Sequence, residues 1–441
     1  MSVLRNGCVL LAIAMLASAC TEKLGSGRAC PGLCPIEGVG IADTTIQGVV
    51  VDSTIFAGPQ IGSESRLLLA TRTDGLVDLR AVIRFDTLPK TFTYDSSGKA
   101  VTDTIRAVFH PELVVIGDSV APELLPKDSI TIAAYDVDTA GVGDTAVAPV
   151  AALYRPDRLL GRARFRAEQV ADTMRIPLDA SILTARVAAN GRLRVGIRLE
   201  SGGNTTVRLG SNTSIHSPRL RYRASASADT SKAADTTYSW FPTSRTPEED
   251  LTTRSMLADY TLVVKGTPTP PPGVFAVGGI RGRRTYLAFN VPKRLLDSTQ
   301  IVRATLRLTQ LPVPAADARD TARLQVLLGT SRTVVTDIAK RVLFHEPVTF
   351  NSNGYLVGIL SGLQEVRLKT DTTARRAIEV APILRRWFTV DSTEVPHSVI
   401  LQLPTEGTEL TELWFSSLEG PVADRPSLQI TYVPRNAPGI P

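Results

Sequence analysis

The sequence predicts an all-β protein made of two tandem antiparallel β-sandwiches joined by a low-complexity linker. Three observations predict this fold: runs rich in Val, Thr, Ile and Leu between turn residues, strict alternation within those runs, and landmarks that recur about two hundred residues apart. The chain has 441 residues, of which 43% are hydrophobic and 5% aromatic. That length is too great for one ordinary domain and suits two.

The clearest strand pattern lies at 193–199, where Leu, Val, Ile and Leu alternate with Arg, Gly and Arg. A period of two predicts a half-buried antiparallel strand, and Asn190-Gly191 before it is a strong turn signal. A second run, Val82–Phe85, ends at a turn. Short strands separated by turns at this spacing favour a sandwich or jelly roll. Helix is scarce, and the best candidate is one to two turns at 380–388.

Three landmarks recur in the same order, which predicts a duplicated β-domain. Chance similarity of β-rich sequence is the alternative. The landmark pairs are Phe85 and Phe289, 204 residues apart, Ile182 and Ile383, 201 apart, and Pro218 and Pro426, 208 apart.

Composition changes mark the boundaries of the two sandwiches. The stretch ASASADTSKAADTT, 224–237, has little to bury and is typical of a linker. The run TPTPPP at 267–272 must be an exposed loop. The predicted organisation is a leader at 1–19, a tether at 20–40, a first sandwich at 41–223, a linker at 224–255, a second sandwich at 256–433 and a tail at 434–441.

The N-terminal segment has the features of a secretory leader. Arg5 precedes a short apolar run, 9–16, and small residues follow it at 17–19. The run is too short to span a bilayer permanently. Ala-Ser-Ala-Cys20 resembles a bacterial lipobox, although Ala17 stands where Leu is usual. The resemblance implies cleavage before Cys20, diacylation of its thiol and, because Thr21 follows, attachment to the outer membrane or cell surface.

Two further cysteines, Cys30 and Cys34, flank a Pro-Gly turn. An exported compartment permits a disulfide between them. A metal site is the alternative, and it is disfavoured because no His or further Cys lies nearby.

The second half carries motifs similar to a known family. They are RTYLAFNVP, IVRATLRLT, IEVAPILRRWF, SVILQL and FSSLEG followed by DRPSLQITY, within about 256–433. They resemble the DNRLRE-type domain, a jelly-roll β-sandwich of bacterial surface proteins that is likened to carbohydrate-binding modules. The first half is similar but weaker, with no Trp near Ala185. Motifs of core strands imply the fold more than the ligand.

Charge and motif content exclude several functions. The formal net charge is +6, with no basic tract interleaved with aromatics, so nucleic acid is not an expected partner. Gly117-Asp118-Ser119 is similar to an esterase nucleophile block, but the late Asp-x-x-His that would supply its base is missing. We find no catalytic set and expect no enzymatic activity.

One acidic stretch could hold a structural cation. Asp136, Asp138 and Asp144 lie in a pattern that resembles part of a calcium loop. Ala140 and Val147 occupy positions that would need oxygen ligands. A hairpin loop rich in Asp and Gly is therefore the preferred interpretation, with structural calcium as the alternative and no other cofactor.

Sugar recognition needs flat aromatic faces beside polar groups. Trp240 and Phe241 lie among polar residues at the end of the linker. They form either an exposed contact or a plug that packs onto the second sandwich. Tyr286 alternates with Leu287, which predicts a place on the outer face of its strand.

Together these features predict a non-catalytic, lipid-anchored envelope protein that binds carbohydrate or spaces other components from the surface. The alternative is an adhesin-like scaffold whose sandwiches hold envelope proteins. Exposed aromatics on one sheet face would favour sugar, and an unprotected edge strand would favour protein.

Overall fold

The computed structural model describes residues 41–47, 51–56, 61–96, 98–118, 125–139, 145–189, 191–200, 203–227, 233–244, 257–314, 321–329, 349–350, 356–358, 364–389 and 398–435. The described chain is mostly antiparallel β-strand with few helices, so the all-β prediction is confirmed.

Fourteen strands precede residue 241. They are β1 (Ala42–Gln47), β2 (Val51–Phe56), β3 (Arg66–Thr71), β4 (Asp78–Phe85), β5 (Thr91–Ser96), β6 (Lys99–Thr104), β7 (Ala107–Ile116), β8 (Ile130–Asp136), β9 (Leu159–Phe165), β10 (Thr173–Pro177), β11 (Leu193–Leu199), β12 (Thr205–Gly210), β13 (Arg219–Ser225) and β14 (Ala233–Trp240).

Twelve described strands follow. They are β15 (Asp259–Lys265), β16 (Val274–Gly278), β17 (Arg283–Ala288), β18 (Thr299–Leu311), β19 (Thr321–Gly329), β20 (Thr349–Phe350), β21 (Leu356–Gly358), β22 (Gln364–Lys369), β23 (Ala374–Glu379), β24 (Ser398–Gln402), β25 (Glu412–Ser416) and β26 (Ser427–Pro434).

The described helices are short: α1 (Val147–Ala151), α2 (Ala180–Ala188), α3 (Lys293–Asp297) and α4 (Ala381–Thr389). The predicted helix at 380–388 corresponds to α4, which is slightly longer than expected. Helix α2 was not expected. Its N-cap Asp179 accepts hydrogen bonds from the backbone N–H groups of Ser181 and Ile182, which stabilises the first turn.

The core of the first half lies between two sheets. One has the order β12-β3-β4-β11-β8-β9, and the other has the order β10-β7-β13-β14. Leu69 and Ile83 from the first sheet and Leu113 and Leu220 from the second belong to one buried cluster. This face-to-face packing is the arrangement of a β-sandwich.

The core of the second half lies within one continuous sheet of the order β1-β26-β18-β25-β16-β17-β24-β19-β22. β18 links its two parts because it pairs with β26 and β23 along most of its length and with β25 at Gln310 and Leu311. The enclosed cluster includes Leu287, Leu306 and Phe415.

The pairing order of the first half recurs in the second. β12-β3-β4-β11-β8-β9 corresponds to β25-β16-β17-β24-β19-β22, and β10-β7-β13 corresponds to β23-β18-β26. The landmarks from the sequence fall on matching elements: Ile182 in α2 and Ile383 in α4, with Pro218 and Pro426 directly before β13 and β26.

The sheets do not follow the predicted sequence boundaries. β1 and β2 lie within the predicted first sandwich, yet they pair with β26 and β17. β15 lies within the predicted second sandwich, yet it pairs with β4. β14 lies inside the predicted linker and pairs with β13. Backbone pairing therefore makes β14 a strand, although the side chains of the predicted linker indicated little burial.

The predicted strand at 193–199 is β11, but both of its faces are buried. Arg194 is 1% exposed and makes two hydrogen bonds of 3.2 Å to the carboxylate of Asp86. The expected solvent-facing side is covered by a second cluster that includes Tyr135 and Tyr154. The alternation was therefore correct, whereas the exposure inferred from it was wrong.

Gly196 in β11 has no room for a side chain. A Cβ atom there would lie 2.5 Å from Val137 Cγ1 and 2.6 Å from the Tyr154 hydroxyl oxygen. Tyr154 is held in place because it donates a 3.0 Å hydrogen bond to the Ala81 carbonyl. We expect Gly196→Ala to lower the free energy of unfolding by about 1–3 kcal/mol. Urea unfolding would measure this, with Gly203→Ala, where the nearest atom is 3.8 Å away, as the control.

Candidate functional site

The strongest candidate site is a row of aromatic side chains that we call the aromatic strip, consisting of Phe92, Tyr94, Tyr222, Tyr238 and Trp240. Neighbouring ring centroids lie between 5.2 and 6.5 Å apart, from the stacked pair Tyr94–Phe92 to the stacked pair Tyr222–Trp240. Tyr94, Tyr238 and Trp240 are half-buried. These three rings keep part of their surface exposed, whereas Phe92 and Tyr222 are buried in the core of the first half.

Strand pairing positions the strip. Tyr222 of β13 lies directly opposite Tyr238 of β14, and Leu220 lies opposite Trp240. Side chains two residues apart share one face of a sheet, so Tyr238 and Trp240 point the same way. The Tyr238 hydroxyl donates a 2.6 Å hydrogen bond to the Thr93 carbonyl, which ties the β5–β6 hairpin to the row.

Phe241 follows Trp240 just past the end of β14, and its ring contacts Arg219 on the face of the sheet opposite the strip. It is 53% exposed, and the guanidinium carbon of Arg219 lies 4.9 Å from its ring centroid. This cation–π contact holds an aromatic ring at the surface beside a positive charge. Trp240 packs against the core of the first half. Of the two sequence interpretations, the plug onto the second sandwich is therefore not what the structure has.

Tyr286 does not join this site. It lies in β17 and is 3% exposed, because β2 and β24 flank it on both sides, opposite Ser53 and Ile400. The expected place on an outer face therefore differs from the structure. The pairing of β2 with β17 crosses the predicted boundary, so local alternation carried no sign of it.

The first two acids of the calcium-like stretch are neutralised by arginines. Asp136 accepts a 2.7 Å ion pair from Arg186, and Asp138 accepts one of 2.7 Å from Arg192. Arg158 donates to the backbone carbonyls of both acids. With these charges already paired, the two carboxylates fit an arginine cluster better than a cation. Asp144 lies outside the described residues.

The phenols of Tyr222 and Tyr238 stay neutral at physiological pH. Burial raises the pKa of Tyr222, and burial also raises the pKa of Tyr238. Neutral hydroxyls can donate as well as accept hydrogen bonds. The strip thus offers apolar ring faces with hydroxyl groups among them.

Sequence reasoning found Trp240 and Phe241 but missed the other members of the strip. Tyr238 and Trp240 alternate, which is a strand signal, but it lies in a stretch interpreted as linker. Phe92 and Tyr94 show the same alternation 146 residues earlier. Only the fold brings these two alternations together.

Sequence reasoning also missed a buried acid pair, Glu64 and Asp259. Glu64 accepts a 2.5 Å hydrogen bond from the Gly62 N–H, and Asp259 Oδ2 accepts one of 2.7 Å from the Asn212 N–H. Asp259 is 1% exposed, and its Oδ1 has no hydrogen-bond partner in the described chain. Burial raises the pKa of each carboxyl to about 7, and the charge of Glu64 adds to the effect on Asp259.

A second buried carboxyl, Glu412, has an arginine partner. Arg283 Nη1 lies 2.6 Å from Glu412 Oε1, and Thr267 donates to the same oxygen. Trp414 Nε1 donates a 3.0 Å hydrogen bond to Oε2. Burial raises the pKa of Glu412, while Arg283 opposes that rise.

Other predicted residues lie outside the described chain. They are Cys20, Cys30 and Cys34, together with the leader and the tether. Among the described residues, no three His, Cys, Asp or Glu side chains are grouped so that they could hold a metal ion. No helix in the described ranges has the length and apolar character needed to cross a bilayer.

Comparison with known proteins gives no relative. No protein-family model and no curated protein matches the chain. A solved structure of the IBDV viral particle is 9% identical over 88% of this chain and 74% of that chain, with a TM-score of 0.11. The M60 catalytic domain with two CBM51 domains of Clostridium perfringens ZmpB is 7% identical over 87% and 43%, with a TM-score of 0.15. TM-scores this low establish neither a shared fold nor a shared function.

Proposed function

We propose that this protein is a non-catalytic, lipid-anchored envelope protein that binds carbohydrate on the aromatic strip. The observation that carries the binding part is the set of half-buried rings of Tyr94, Tyr238 and Trp240, together with the exposed ring of Phe241. The anchor at Cys20 and the outer-membrane or surface location rest on the sequence of the leader.

The chemistry of the strip suits a sugar. A pyranose ring presents C–H patches surrounded by hydroxyl groups, so it stacks on an aromatic face and exchanges hydrogen bonds at its rim. Trp240 and Phe241 supply faces, while Tyr238 and Arg219 supply polar groups near them.

A second candidate is a scaffold that binds envelope proteins. The observation that favours it is the position of β14 at the end of its sheet, after β13. A terminal strand offers unpaired backbone groups to which another strand can add. Such a partner would depend on the backbone of β14 more than on the ring of Trp240.

Polysaccharide binding tests the proposal. In affinity electrophoresis of the mature protein against soluble cell-wall polysaccharides, we expect Trp240→Ala to weaken binding about fivefold, because one aromatic stacking contact is worth about 1 kcal/mol. Phe241→Ala should weaken it less, since that ring lies on the other face of the sheet.

The matched control is Phe56→Ala, which removes a ring that is 45% exposed on the other sheet. Its binding should equal that of the unmodified protein. Equal retention of all three variants by every polysaccharide, or no retention of the unmodified protein, would remove the sugar proposal. Capture of an envelope protein that persists in Trp240→Ala would support the scaffold instead.

A further inference from the structure

Each half of the chain begins with the same pair of strand sequences. Ala-Asp-Thr-Thr stands at 42–45 in β1 and again at 234–237 in β14. Asp-x-Thr stands at 52–54 in β2 and again at 259–261 in β15. We call β1–β2 and β14–β15 the leading pairs. In chain order, each leading pair precedes the strands of its own half.

The structure docks each leading pair on the opposite half. β1 pairs with β26 and β2 with β17, while β14 pairs with β13 and β15 with β4. The acceptor strands are equivalent, and for β2 and β15 so is the register, whereas Thr45 of β1 lies opposite Gln429 and Thr237 of β14 lies opposite Arg223, a shift of two residues. Asp52 lies opposite Leu287 and Asp259 lies opposite Ile83, and these two partners are 204 residues apart. The two halves have therefore exchanged their leading pairs within one chain.

The connections explain why exchange occurs. The run TPTPPP, 267–272, separates β15 from β16. Proline-rich chain is extended, at about 3.1 Å per residue, so this run covers roughly 19 Å and resists turning back. If β15 docked on its own half, the run would have to turn the chain back. β15 and β3 both run antiparallel to β4, so in the equivalent position on β17 the strand β15 would run parallel to β16. The run instead carries the chain from one half to the other.

We propose that the acceptor strands β26 and β17 also take the β1–β2 pair of a second copy of this chain, so that molecules join by exchanged leading strands. The pair of a second copy is chemically identical to the pair that the structure shows docked. β14–β15 is connected in sequence to β13 before it and to β16 after it, whereas β1–β2 is followed by β3 and has no described strand before it. β1–β2 is therefore the pair that can be exchanged.

β1 is held on the second half mainly by backbone pairing. Along β1 the side chains alternate between half-buried and exposed, and Ile46 is the residue that packs on the second core. Asp43, an exposed residue of β1, accepts a 2.5 Å hydrogen bond from the Thr431 hydroxyl of β26. Docking within one chain is favoured by the high effective concentration of the tethered pair. Docking between chains becomes more favourable as the protein concentration rises.

A mixed cross-linking experiment tests the proposal. One sample carries Asp43→Cys and another carries Thr431→Cys, both with the four native cysteines changed to serine. These two positions face each other across β1 and β26. After mixing at high concentration and treatment with a short thiol cross-linker, we expect a covalent dimer at a level at least tenfold above the control mixture, increasing with protein concentration.

The control mixture pairs Asp43→Cys with Glu365→Cys, an exposed position on β22 at the far end of the same sheet. A chain carrying both Asp43→Cys and Thr431→Cys should cross-link within one molecule, which shows that the site reacts. An excess of peptide 41–56 should suppress the dimer. Intramolecular cross-linking without a mixed dimer would overturn the proposal, and so would a double variant that fails to cross-link, since the β1–β26 docking would then be incorrect.

Discussion

Arg283→Met is expected to lower the free energy of unfolding by about 3–5 kcal/mol, because it leaves a buried carboxylate without its counter-charge. Arg283 is 3% exposed and Glu412 is 1% exposed. Without the guanidinium, Glu412 would retain only hydrogen bonds from Thr267 and Trp414. The midpoint of urea unfolding, followed by tryptophan fluorescence, measures the loss.

Two comparisons make this prediction specific. The double variant Arg283→Met with Glu412→Leu should recover most of the loss, since an apolar pair of similar volume can replace a buried ion pair. Arg303→Met removes an exposed arginine from its 3.3 Å pair with Glu379 and should cost less than about 1 kcal/mol. If Arg283→Met and Arg303→Met lose the same stability, the buried pair has been misjudged.

Stability is expected to fall as the pH rises from about 4 to about 7, because the acid pair favours the protonated form. In the folded protein burial raises the pKa of Glu64 from 4.5, and that of Asp259 from 3.8, to about 7. The folded state therefore binds more protons than the unfolded state within this window. The stability that the two protonated carboxyls contribute is fully present below the unfolded pKa values and is lost once the pH passes about 7. As upper limits, Glu64 accounts for about 3 kcal/mol and Asp259 for about 4 kcal/mol.

The charged groups around the pair do not offset this effect. Arg84 on β4 donates to the Ser244 hydroxyl and lies over the ring of Tyr260. Arg66 on β3 pairs with Asp118 and Glu409. Further groups on the packed elements are Arg208, which pairs with Glu409, Lys265, which donates to the Gly75 carbonyl, and His216 on the loop after β12.

Thermal unfolding at several pH values between 4 and 8 checks the acid pair. Glu64→Gln with Asp259→Asn should remove most of the decline between pH 4.5 and 7. Glu419→Gln is the matched control, because hydrogen bonding to Ser417 lowers the pKa of that exposed carboxyl, so its contribution is lost only at lower pH. Parallel pH profiles for the unmodified protein and the double variant would contradict the assignment.

Local sequence patterns were enough to predict the class of fold. The alternation at 193–199 and the turn before it correspond to β11, and the apolar run at 82–85 belongs to β4. A period of two reports strand direction and sidedness, which depend on neighbouring residues alone. It does not report which strands become neighbours, so the exchange of leading pairs was invisible to it.

The candidate site shows the same limit. Trp240 and Phe241 were found because two aromatics stood out among polar residues, whereas Tyr222 and Phe92 resembled ordinary core residues. Asp259 shows how a polar residue within a strand can be buried by a second layer that local patterns do not reveal. Arg194 and Tyr286 were likewise predicted to be more exposed than they are, because both faces of their strands are buried. In each case the missing information was a contact between distant parts of the chain.

The pairing of β1 with β26 has a consequence for the order in which strands can pair during synthesis. Asp43 and Thr431 are 388 residues apart, so the first strand to emerge must wait for nearly the last one to be synthesised. Until then β1 presents unpaired backbone, which is a state that chaperones recognise and that aggregates at high concentration. The first described strand thus completes its pairing among the last.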